Sequence, residues 1–221
     1  MPAPASRCAT ARDSRRPFLP DPAAPAGTAG LVLAAGDATR FGSAKMLALL
    51  DGRPLLQHVL DAVAEAGLER TVVVLGRSAV AIEAAIEWRG EIRVVNPTPE
   101  AGLSSTVRLG FEAVGGLEPI PDAVLILLGN QPHVRPAVID RLVGWSSTAR
   151  PIVVPRYGRP GGFNPVLVRR PAWPLVGQAT GDRGLGPLIE AHRELVQEVP
   201  VDGDNPDVDV PADLAMLQGR G

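Results

Sequence analysis

Four short apolar runs, each tied to a segment of helical character, constrain this chain more than any other feature. They are residues 31–34 (Leu31-Val32-Leu33-Ala34), Thr71–Leu75, Ile92–Val95 and Ala123–Leu128. Between them lie helical patterns. One opens at Pro54, carries Leu55, Leu56, Val59, Leu60 and Val63, and closes at Gly67; others span 79–88 and 103–114. Strand and helix therefore alternate about every 12–15 residues, the mark of βαβ units. A strand that reads as a continuous apolar run is buried on both faces, so the sheet is mostly parallel with helices on each side. The second half is less regular. A helix starts at Pro136, strands are expected at 152–155 and 165–168, short helices at 171–176 and 185–191, a strand at 195–201 and a last helix from Pro211. Two strands so close together predict a mixed sheet there. The fold class is α/β.

Residues 1–28 stand apart. Residues 1–29 hold six prolines, eight alanines and four arginines, with Met1, Phe18 and Leu19 as the only large apolar side chains. Such a segment cannot bury enough surface to offset its ordering entropy, which predicts a disordered Pro/Ala/Arg-rich tail before one domain over 29–221. It lacks the apolar run of about 7–15 residues that a secretory signal needs. The lone Cys8 excludes an internal disulfide and fits a reducing cytoplasm. A net charge of −2 argues against an electrostatic grip on nucleic acid or on an anionic membrane.

Ligands of an open parallel sheet bind beyond the carboxyl ends of its strands. The loops at 35–45, 96–104 and 129–134 should therefore share one rim. In the first, Gly36 and Gly42 allow close backbone approach, and Arg40 and Lys45 are the cations. Backbone N–H groups with one guanidinium and one ammonium suit a triphosphate. A glycine-rich turn with surface cations would read the same way. A P-loop is excluded, because five residues separate Gly36 from Gly42 and Lys45 comes three residues after Gly42. A dinucleotide fingerprint is excluded because Ala38 stands where its second glycine belongs.

These residues carry a resemblance. Leu33-Ala34-Ala35-Gly36-x-x-x-Arg40-x-Gly42-x-x-Lys45 resembles the signature loop of the MobA-like nucleotidyltransferases, most closely the molybdenum cofactor cytidylyltransferase branch. Further matching pieces follow in order: Asn96-Pro97 with Gly102-Leu103-Ser104-Ser105, Leu128-Gly129-Asn130-Gln131-Pro132, Asn164-Pro165, Gly181-Asp182-Arg183-Gly184, and the stretch from Asp207 through Asp209 to Leu214. Together they cover about residues 29–217. The resemblance implies a Rossmann-like three-layer nucleotidyltransferase with a mostly parallel mixed sheet. It implies an NTP substrate with Mg²⁺ (or Mn²⁺), transfer of NMP to an acceptor phosphate, and release of pyrophosphate. In the named branch the nucleotide is CTP and the acceptor molybdopterin, and a molybdenum hydroxylase or its maturation factors would be partners. Ala35, in place of a glycine, points to CTP, its methyl group filling space near the base.

The roles it implies are specific. Arg40 and Lys45 would be catalytic, and with Leu33, Ala34, Ala35, Gly36, Asn96, Ser104 and Ser105 would bind the nucleotide. Asn130 and Asp209 would hold the metal; Asn164 and Asp182 would face the acceptor. Local readings stand beside these: Ser104, Ser105 and Asp182 as helix caps, Asn96 as the closure of a turn before Pro97. Two departures matter. Asn130 occupies the position of the family's metal-binding Asp, so the site has one such carboxylate instead of two. Asn130 could be a neutral ligand, the mark of a nucleotide-binding accessory protein with little turnover, or an altered residue. Phe163-Asn164-Pro165 stands where many members of the branch have Gly-His-Pro, which leaves another small phosphorylated acceptor open. His133 reads as a rim residue; His58 and His192 read as partly exposed. The acidic run Asp202, Asp204, Asp207, Asp209 lacks the register of a calcium loop.

Overall fold

The computed structural model describes residues 27–36, 41, 44–68, 70–145, 149–158 and 162–219. In chain order it contains β1 (Thr28–Ala34), β2 (Leu49–Leu50), β3 (Arg53–Pro54), α1 (Leu55–Glu65), β4 (Thr71–Leu75), α2 (Ala79–Ala85), β5 (Ile92–Val95), α3 (Leu103–Gly115) and β6 (Ala123–Leu128). There follow α4 (Pro136–Val143), β7 (Ile152–Arg156), β8 (Val166–Arg169), α5 (Trp173–Val176), α6 (Gly186–Ala191), β9 (Val196–Pro200) and α7 (Pro211–Gln218).

Seven strands form one sheet in the order β5-β4-β1-β6-β8-β7-β9. β1, β4, β5 and β6 pair in parallel, as do β7 and β9, while β8 is antiparallel to both β6 and β7. β8 is thus the one reversed strand of this sheet, and the mixed second half is as expected. From β1 the chain moves outward through β4 to β5, then returns to add β6 on the other side of β1. That reversal opens a crevice at the carboxyl ends of β1 and β6, where α/β sheets bind ligands.

The strands are apolar on both faces because both faces are covered. Alternate residues point to opposite sides. Val32, Ala34, Leu125 and Leu127 pack with α1 (Leu56, Val59, Leu60, Val63) and α4 (Val138, Ile139, Leu142). Leu31, Leu33, Val124 and Ile126 pack with α3 (Val107, Val114) and Ile189 of α6. Each such aliphatic side chain contributes about 1.5–3 kcal/mol on burial, so the two apolar layers hold three layers of structure together. A smaller cluster of Leu50, Leu55, Val208 and Leu217 ties the C-terminal stretch to the start of α1.

Some boundaries differ from those the pattern predicts. β1 starts at Thr28, the last residue assigned to the tail, because Thr28 pairs with Ala123; residues 1–26 lie outside the described residues. β2 and β3 form a small hairpin around Asp51-Gly52, both at positive φ, a turn signal that the helical pattern from Pro54 obscures. α2 stops at Ala85 instead of reaching Trp88. The Glu87 N–H donates to Gln57 Oε1 at 2.8 Å, and the Glu83 carbonyl it would have used accepts the Trp88 indole N–H at 3.2 Å. Pro171 belongs to a 3₁₀ turn, Arg170–Ala172, that precedes α5. Among the described residues, no helix is long and apolar enough to cross a membrane.

Candidate nucleotide site

The loops after β1, β5 and β6 meet at one end of the sheet, together with the stretch that leads into α7. Lys45 heads a 3₁₀ turn, Lys45–Leu47, after the β1 loop. Its side chain is 11% exposed, and its Nζ donates to Asp209 Oδ1 at 2.8 Å across 164 positions of sequence. Asp209 is half exposed and held from three directions. Asn130 Nδ2 donates to the same Oδ1 at 3.2 Å. The backbone beneath is stitched to the β6 loop, because the Val208 N–H donates to Asn130 O at 3.0 Å and Asn130 Nδ2 donates to Val208 O at 3.4 Å. Asp213 Oδ2 accepts the N–H groups of Asp209 (2.8 Å) and Val210 (2.9 Å) at the start of α7. Those two backbone bonds hold the Asp213 carboxyl below its ordinary pKa.

Asp207 stands in the same crowd. Partial desolvation there, and then the Asp209 charge, raise its carboxyl above the ordinary value against the pull of the Lys45 ammonium, although the residue keeps an exposed outer surface. Oxygen donors of this kind, one half-exposed carboxylate beside an amide, fit a hard divalent cation that keeps several of its waters. As oriented here, Asn130 offers Asp209 an N–H. Among the described residues no group of three His, Cys, Asp or Glu is arranged to hold a metal.

The β5 side is ordered by Asn96, which is 4% exposed. Its Nδ2 donates to Ser105 Oγ at 2.9 Å and Thr106 Oγ1 at 3.0 Å, and its Oδ1 accepts the Thr98 N–H at 3.0 Å. The last bond closes the turn before α3. Ser105 Oγ donates to Gly102 O at 2.8 Å and Ser104 is buried, so neither side chain caps α3. Gly102 holds that position at φ 91°; a Cβ there would lie 2.6 Å from Asp182 Oδ1, which places the Asp182 carboxylate against the helix start. Leu33, Ala34 and Ala35 are buried and Gly36 is exposed. The Ala35 side chain packs in the apolar layer beneath α3. Arg40 lies outside the described residues.

Beyond β6, Asn164 lies next to β8, and its carbonyl accepts the Tyr157 hydroxyl at 3.3 Å. Burial pushes that hydroxyl up to about 12, so it stays a donor. Asn164 and Arg183, which follows Asp182, line one recess on the α3 side of the sheet. His58 Nε2 bonds Leu50 O at 2.9 Å, while His133 and His192 are half-buried.

A family model for the MobA-like NTP transferase domain matches residues 30–196. The chain belongs to that family. It is 35% identical over 117 residues to the bifunctional protein GlmU of Desulfitobacterium hafniense, covering 52% of this chain and 24% of that protein. The chain therefore spans about a quarter of the length of this curated relative. The crystal structure of Rv0371c from Mycobacterium tuberculosis H37Rv superposes with a TM-score of 0.78 at 30% identity, over 87% of this chain and 97% of that one. A structure of Rv0371c in complex with manganese gives 0.75 at 28% identity, over 89% and 100%.

Within this MobA-like domain, three rim residues carry no role in the reading of the sequence. Gly76 follows β4, and a Cβ on it would lie 2.5 Å from Ala35 O, so only glycine lets the β1 and β4 loops touch. Arg77 reaches across to Glu100 at 2.8 Å and joins the β4 loop to the turn before α3. Asp207 is the third. A recess between the β1 and β4 loops is lined by Gly36, Lys45, Met46, Gly76, Arg77 and Ser78. The available signal was a glycine directly after an apolar run, which recurs at Gly76 and Gly129.

Proposed function

We propose that this MobA-like domain is a nucleotidyltransferase that moves CMP from CTP to the phosphate of a small acceptor and releases pyrophosphate. The observation that carries the reading is the meeting of Lys45 and Asp209 at 2.8 Å on the rim where the sheet reverses. Family membership supports the reaction class. The resemblance of the β1 loop to the cytidylyltransferase branch supports CTP, with molybdopterin as acceptor and a molybdenum hydroxylase or its maturation factors downstream in the cytoplasm.

One acceptor phosphate oxygen attacks the α-phosphorus of the nucleotide. The bond from that phosphorus to the bridging oxygen breaks, and its electron pair leaves with pyrophosphate. A phosphomonoester is largely dianionic near neutral pH, so no strong base is needed. Lys45, with Arg40, neutralises the triphosphate and the departing pyrophosphate. Asp209, steadied by Asn130 and Asp213, would hold Mg²⁺ or Mn²⁺, which supplies further charge neutralisation at the phosphates. The Asn96–Ser105 bracket and Ser104 keep the α3 start in place beside the nucleotide, and buried Leu33, Ala34 and Ala35 position the backbone up to Gly36. Asn164 and Asp182 are the acceptor-side residues.

Pyrophosphate production from a panel of NTPs, with Mg²⁺ or Mn²⁺ and molybdopterin, tests this. Production with CTP above the other nucleotides supports the reading; none with any nucleotide and acceptor contradicts it. The amide hydrogen that Asn130 gives Asp209 favours a second reading, a binding protein with little turnover. Tight CTP binding without pyrophosphate would select it.

A further inference from the structure

Beneath α3, on the face opposite α1 and α4, lies a cavity of about 210 Å³. Its walls are mainly carbon: Leu33, Val107, Leu128, Phe163, Leu185 and Ile189. Asn164 is its half-buried polar side chain, and Arg183 and Glu190 pair with each other at 3.1 Å on the solvent side, 67% and 46% exposed. Arg193 stacks over the Phe163 ring at 5.9 Å and backs that wall from outside. The cavity adjoins the rim through the chain itself. Leu33 runs into Ala34-Ala35-Gly36, Leu128 into Gly129-Asn130, and the lining residue Leu103 into Ser104-Ser105.

We infer that this cavity seats the uncharged, carbon-faced body of a phosphomonoester acceptor and that Phe163 and Leu185 determine the choice. The inference rests on the nucleotidyltransferase reading of the neighbouring rim. Size sets the first limit. An apolar cavity of about 150 Å³ takes one benzene, so this one takes a ring with a substituent or a small fused pair. Chemistry sets the second. A sugar carries hydroxyls in every direction, and seating it against these walls would strip their water without replacing the hydrogen bonds. The Arg183–Glu190 pair is already neutral as a unit, so nothing in the lining calls for a charged body. Phe163 supplies the aromatic wall, with Arg193 over its outer face.

The test uses the full chain, with 2-naphthyl phosphate followed by its own fluorescence, glucose 1-phosphate as competitor, and CTP with Mn²⁺ titrated separately. Expected is binding of 2-naphthyl phosphate at least tenfold tighter than glucose 1-phosphate. Phe163→Ala and Leu185→Gln should each weaken it at least fivefold while CTP binding stays as in wild type. Both side chains are half-buried, and either variant that keeps CTP binding is a sufficient reporter. Equal affinity for the two phosphates, or naphthyl phosphate binding that survives both substitutions, overturns the inference. Naphthyl phosphate bound by a protein that binds no CTP upholds the cavity and sinks the nucleotide reading.

Discussion

Asn130 donates an amide hydrogen to Asp209 Oδ1 at 3.2 Å, joining the loop after β6 to the stretch before α7 across 79 positions of sequence. That oxygen also accepts the Lys45 ammonium. The arrangement leaves one carboxylate where the resemblance leads one to expect two, and it makes the charge at position 130 a direct experimental variable.

Asn130→Asp places two carboxylates in contact. Like charges so close resist joint ionisation unless a cation lies between them. The variant should melt below wild type in EDTA and regain stability with Mn²⁺. The metal concentration for half-maximal CTP binding should fall roughly tenfold, equivalent to ~1.4 kcal/mol. Calorimetric titration of metal in the presence of CTP checks this; an unchanged requirement would remove position 130 from the metal's surroundings.

Gly76→Ala introduces a Cβ 2.5 Å from Ala35 O. The obstacle is backbone, so one of the two loops must shift. The expected cost is about 1–3 kcal/mol of folding stability. CTP affinity should fall as well, because the displaced segment is the β1 loop. Urea denaturation and a CTP titration on the same preparation measure both effects.

Asn96→Ala removes a buried amide that serves Ser105, Thr106 and Thr98 at once. Groups left without a partner in a buried setting cost about 1–3 kcal/mol. The loss should appear in equilibrium denaturation whether or not nucleotide is present. A variant as stable as wild type would show that water replaces the amide without penalty.

The parallel half of the sheet was legible because it depends on a long-range regularity, whereas the strand order was not. Apolar runs such as Thr71–Leu75 and Ala123–Leu128 are dictated by burial on both faces, and their outlines survive in the structure. Terminations were less legible. α2 ends early through Gln57, a residue from another helix whose bonds to Glu87 have no local signature. The same holds within the site. The spacing of the β1 loop singled out Lys45, but nothing in the sequence alone told that its partner would be Asp209, or that Asn130 would turn its N–H toward that carboxylate. Ser104 and Ser105 looked like helix caps, whereas the α3 start is held by Gly102 and braced by Asn96, a contact made only once β5 and α3 are adjacent.

Asp213 gives a prediction in pH. Its carboxyl is held below its ordinary value by the Asp209 and Val210 N–H groups. A depressed carboxylate contributes stability that is present above its unfolded pKa of about 3.9 and is lost as pH falls through the folded value. Wild type should lose stability more steeply than Asp213→Asn below about pH 4, and the two should run parallel above pH 5. Urea denaturation across pH 3–6 resolves the difference; parallel curves throughout would separate Asp213 from the α7 start.

The most direct test of the account is the affinity of wild type and Lys45→Met for a non-hydrolysable CTP analogue with Mn²⁺, measured by calorimetry. Methionine keeps the apolar stem of Lys45, and Asp209 is half exposed to solvent, so the variant should remain folded. Binding at least tenfold weaker in Lys45→Met is the predicted result. Equal affinity in the two proteins would contradict the assignment of this loop to the triphosphate.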